Sequence, residues 1–154
     1  ASWWITELRT ARHASSPVRR LDIRSALVNP GLLGAIALGG ALGSVARYVM
    51  ATLVVHAAGT GFPWGTLSVN VIGGFVIGVI AELMASRWSV PPELRGFLIT
   101  GVLGGFTTFS AFSLEMVGMI ERHSFASAAA YVIGSVVLCL GATFIGLWTV
   151  RGLT

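Results

Sequence analysis

The chain has 154 residues, 55% of them hydrophobic and only 10% charged, with a mean hydropathy of +0.83, which excludes an ordinary water-facing domain and places it in a bilayer. Its net charge of +4 comes from ten arginines and no lysine. A single Cys139 excludes an internal disulfide, and no Ser/His/Asp set, phosphate loop, carboxylate pair or metal-ligand spacing is visible, so an enzyme is not expected.

The first segment, residues 1–29, holds Arg9, Arg12, Arg19, Arg20 and Arg24 among serines, with Trp3, Trp4, Ile5 and Leu8 nearby. It is expected to be a tail, disordered or lying on an anionic membrane surface. The apolar run that follows is too long for a cleaved signal. Crossing a hydrocarbon core of about 30 Å takes about 20 helical residues, and four runs reach that length: 31–58, 64–85, 96–120 and 125–150. The links between them are short, so consecutive helices are antiparallel neighbours, and residues 30–154 are expected to form one four-helix membrane domain.

In the first run Arg47 stands sixteen residues in, a depth at which a charge is costly unless it faces water or reaches the interface. In the second, Thr66, Asn70, Gly73, Gly74 and Gly78 lie near one face. Two roles are open to Asn70 on the residues alone: donating its amide hydrogens to a dehydrated anion, or bridging helices that Gly74-x-x-x-Gly78 lets approach closely.

The third run contains Gly104-Gly105-Phe106-Thr107-Thr108-Phe109-Ser110-Ala111-Phe112, where a helix break at the two glycines is expected. Phe109 and Phe112 share a face, as do Thr107, Ser110 and Ser113. Ring edges and hydroxyls are donors suited to an anion; core packing and back-bonding to the helix are the other roles open to them. In the fourth run Ser127, Tyr131, Ser135, Cys139 and Thr143 form a drifting polar stripe, with Cys139 expected as a small buried thiol. Glu82, Glu93 and Glu121, near run ends, are expected to be solvated.

The glycine-rich stretch of the third run, with Gly39-Gly40-Ala41-Leu42-Gly43-Ser44-Val45-Ala46-Arg47-Tyr48 and Gly65-Thr66-Leu67-Ser68-Val69-Asn70-Val71-Ile72-Gly73, resembles the Fluc/CrcB family of fluoride channels from about Leu32 onward. The resemblance implies an all-α membrane protein with a broken third helix, paired as a dimer of oppositely inserted subunits. It implies passive, fluoride-selective export across the plasma membrane that relieves fluoride toxicity. Phe109 and Phe112 match the family's paired pore phenylalanines; Arg47, Asn70, Ser110, Ser113, Tyr131 and Ser135 match pore or vestibule positions. A structural Na⁺ at the dimer interface would be held by main-chain carbonyls at Gly104 and Thr107. Glu115 also matches a family position, without an assigned role, and Ala111 stands where a threonine is common. The expected partners are fluoride, the bilayer and a second copy or an oppositely inserted paralogue, with no nucleic acid. One rival reading is a non-conducting partner subunit. Another is a small four-helix exporter, which would need a deep carboxylate in the first helix where this chain has Arg47.

Eight arginines fall on the side of the termini and of the link between the second and third runs, against Arg122 alone on the other side. The positive-inside rule then places both termini in the cytoplasm if one orientation dominates. Reporter fusions at the C-terminus, with and without the five tail arginines, should show a single orientation for the full chain; an equal split would refute it.

Overall fold

The computed structural model describes residues 29–86 and 88–153. The expectations for the tail before residue 29 and for Arg87 lie outside these. Helix α1 (Pro30–Ala58) begins on a proline, whose missing amide hydrogen costs nothing in a first turn, and stops where Gly59 turns to φ +82° and returns its amide to Val55 O at 2.8 Å. Helix α2 (Trp64–Ser86) follows the turn ending at Pro63.

The third span opens at Pro92, four residues before the apolar run, because Pro91 and Pro92 start a helical turn of their own. This helix, α3 (residues 92–106), passes from an α turn over Pro92–Arg95 into a π-helical stretch over Gly96–Leu103 and a closing turn over Gly104–Phe106. Thr107 and Thr108 are extended, and α4 (Phe109–Glu121) completes the span. A turn with His123 at φ 58° leads to α5 (Phe125–Arg151). Among the described residues, four helical spans are thus long and apolar enough to cross a membrane.

Backbone-to-backbone approach at glycine sets the packing. A Cβ on Gly78 of α2 would strike Thr143 O and come 3.1 Å from Leu147 N of α5, and one on Gly74 would lie 3.0 Å from Cys139 O. Gly146 of α5 reciprocates, 3.2 Å from Gly78 Cα. The pair Gly74-x-x-x-Gly78 is therefore a packing device that joins α2 to α5. On the other side, a Cβ on Gly101 of α3 would lie 2.9 Å from Gly39 Cα of α1, and one on Gly105 2.6 Å from Gly40 O. The outer faces, with Leu38, Leu42 and Leu53 on α1 and Ile133, Val137 and Phe144 on α5, are exposed apolar surface.

Gly78→Ala should destabilise the detergent-solubilised protein by about 1–3 kcal/mol, because backbone on both helices must move. Gly134→Ala, which meets nothing within 4 Å, should leave the thermal unfolding midpoint unchanged or slightly raised.

Candidate functional site

The break in the third span begins with Asn70. Its Oδ1 accepts from Thr108 N at 2.8 Å and its Nδ2 donates to Thr108 O at 3.0 Å, so one side chain on α2 satisfies both main-chain groups of an extended residue. The Thr108 side chain then caps α4, accepting from Ala111 N at 3.2 Å. These diversions have a direct consequence. Thr108 N and Ala111 N are the amides that an unbroken helix would supply to Gly104 O and Thr107 O. Both carbonyls lose those donors, and Arg47 Nη1 approaches Thr107 O at 3.4 Å.

The break falls at Thr107–Thr108, three residues after the glycines where it was expected. Gly104 itself is helical, with φ −65° and ψ −35°. Gly105 serves close approach to Gly40 of α1, a Cβ on Gly104 would meet only Ile99 O of its own span at 3.7 Å, and Asn70 makes the break.

Beside it lies a cavity of about 410 Å³ that gathers Asn70, Gly104, Thr107, Phe109, Phe112 and Ser135, together with Thr108 and Cys139. Phe109 and Phe112 have ring centroids 5.4 Å apart, but their surroundings differ: Phe109 is 78% exposed and Phe112 only 8%. Ser135 Oγ is buried and, among the described residues, has no hydrogen-bond partner. Cys139 is only partly buried, because it borders this cavity. Arg47 lines a separate space of about 300 Å³ with Thr66 and Ala111; Thr108 borders both.

Ser110, Ser113 and Tyr131 do not line this cavity. Ser113 Oγ donates back to Phe109 O at 2.9 Å, and Thr107 Oγ1 to Leu103 O at 2.9 Å, the local bonding usual for hydroxyls in membrane helices. Ser110 is exposed and pairs with Thr108 Oγ1 at 3.2 Å. Tyr131, 1% exposed, is packed against Phe112 at 5.0 Å and edge-on to Phe62 at 5.5 Å. Its hydroxyl donates to Glu115 Oε2 at 2.7 Å, while Thr66 Oγ1 donates to Glu115 Oε1 at 2.7 Å.

Sequence reasoning left Glu115 without a role and passed over Thr66 and Thr108 as individual residues. A threonine just before an apolar helical run is a legible N-cap signal; the meeting of Thr66, Glu115 and Tyr131 from three helices is not local and leaves no such mark. A double-mutant cycle of Thr66→Val and Tyr131→Phe should show a loss of about 1–2 kcal/mol for each single change in unfolding measurements. The Glu115→Ala background should remove most of both losses.

Comparison with known proteins bears on this arrangement. The family model described as CrcB-like protein, Camphor Resistance (CrcB), matches residues 34–147. A protein of Nitrobacter winogradskyi named fluoride-specific ion channel FluC is 55% identical over 117 residues, 76% of this chain and 93% of that one. Proteins of the same name from Rhodospirillum centenum and Agrobacterium fabrum are 51% and 49% identical, the first over 76% of this chain and 93% of its own, the second over 77% and 94%. The matched region spans all of α2, α3 and α4 and most of α1 and α5; this chain belongs to the CrcB family.

Proposed function

We propose that the chain is a fluoride-selective channel that lets fluoride leave the cell passively through the plasma membrane and so relieves fluoride toxicity. One observation carries the reading: the buried, unpartnered hydroxyl of Ser135 borders the same cavity as Asn70, Phe109 and Phe112. A buried hydroxyl without a partner is costly, so a donor kept free in a mostly apolar space suits an acceptor that passes through. Fluoride is small and strongly hydrated. A narrow path must replace its water with donors while holding it weakly enough to release.

The chain offers such donors in different forms. Asn70 uses one amide hydrogen on Thr108 and keeps the other. The ring edges of Phe109 and Phe112 supply partial positive charge without a full one. Arg47, half-buried beside Thr107, biases the neighbouring space toward anions.

The same reading includes a second copy, or a paralogue, inserted in the opposite direction. The exposed ring of Phe109 supports it, as do the donor-deprived carbonyls of Gly104 and Thr107 on this span. Hard main-chain oxygens suit Na⁺, and those two carbonyls would hold it, with Arg47 as the neighbouring cation that shares Thr107 O. Bound there, Na⁺ would neutralise the dipoles of two broken spans and hold them together.

Liposomes containing the purified chain should release fluoride quickly, read with a fluoride electrode, and retain chloride. Ser135→Ala should slow release about tenfold, the kinetic equivalent of one hydrogen bond. Release of both ions, or of neither, would overturn the reading; a chain that conducts only when mixed with a paralogue would be a partner subunit.

A further inference from the structure

A second group of neighbouring spaces lies beyond the break. A space of about 430 Å³ opens beside the α1–α2 turn and is bordered by Phe62, Leu114, Glu115 and, at the end of α4, Arg122. It shares Val55, Pro63 and Glu115 with a space of about 270 Å³. That one shares Ala51 and Thr66 with the space lined by Arg47, which meets the main cavity at Thr108. The series thus runs from Arg122 at the bundle end to Arg47 at the break.

The charges along it are unevenly placed. Glu115 lies between the two arginines with both oxygens already accepting, from Thr66 and Tyr131. Glu121, next to Arg122, is exposed. Arg122 is exposed as well, and among the described residues its guanidinium makes no ion pair. A carboxylate on the shared wall of neighbouring spaces repels an anion that enters them, and a cation at the outer space offsets it.

Resting on the fluoride-channel reading above, in which copies inserted in opposite directions turn one such mouth toward the cytoplasm, the geometry points to Arg122 as the residue that gathers anions into this mouth. It is a steering residue that raises the local anion concentration and leaves selection to the donors further in. The effect of one such charge is a rate of entry, limited to low fluoride and sensitive to screening.

The test is unitary fluoride current in planar bilayers at subsaturating fluoride. In about 10 mM total salt, where screening extends to about 30 Å, Arg122→Gln should lower the current about threefold to fivefold. Arg122→Glu should lower it further and Arg122→Lys should preserve it. All should converge in about 1 M inert salt, where screening falls to about 3 Å. Fluoride-over-chloride selectivity should not change in any variant. The wild-type current should itself fall as inert salt is added at fixed fluoride, which tests the inference even where a variant fails to assemble. Variant currents equal to wild type at low salt, or reduced by the same factor at every salt concentration, would overturn the steering role while leaving the channel reading intact. A wild-type chain that passes no fluoride would overturn both.

Discussion

The structure depends on one pairing, that of the Asn70 side chain with both main-chain groups of Thr108. Within a bilayer no water is available to an orphaned amide or carbonyl, so an extended residue in a spanning helix needs partners from protein. Asn70 supplies both. Everything that distinguishes the site follows: Thr108 is free to cap α4, Gly104 and Thr107 carbonyls lose their helical donors, and Arg47 has an oxygen to approach. Without that pairing, the third span has no reason to be broken.

The glycines do a different job from the one their local conformational freedom suggests. Gly39, Gly43, Gly101 and Gly105 draw α1 against α3, and Gly74, Gly78 and Gly146 draw α2 against α5, backbone to backbone. Lipid tails are as apolar as leucine, so this close fit stands in for the hydrophobic drive that joins helices in water. α2 also meets α1 through Gly65 at Ala51 and the break through Gly73 at Thr107, which holds Asn70 steady to meet Thr108.

Much of this was legible in the sequence, and the reasons for the rest are physical. Length and apolarity located all four spans, since the bilayer imposes a minimum that few alternatives meet. Pro91-Pro92 lengthened the third because a proline pair favours a first turn even outside the apolar run. The break was read three residues early: glycine permits a break, but a partner for the freed amide decides where it falls, and that partner is on another helix. Phe109 and Phe112 share a face, yet one is open and the other enclosed, a difference made by Tyr131 of α5, whose ring packs against Phe112. Glu115 gave no signal beyond being a carboxylate in a span, because its two donors come from α2 and α5.

Since the interruption is imposed by α2, the third span carries no broken backbone of its own. While it crosses into the bilayer it is able to travel as a continuous helix with every carbonyl in use, and α2, made earlier in the chain, is already there to meet it. The order of synthesis thus matches the order in which the parts become tolerable to lipid: first an intact rod, then a docked pair, and only then the opened turn. Biogenesis of this site requires no stage at which unpaired main chain faces hydrocarbon.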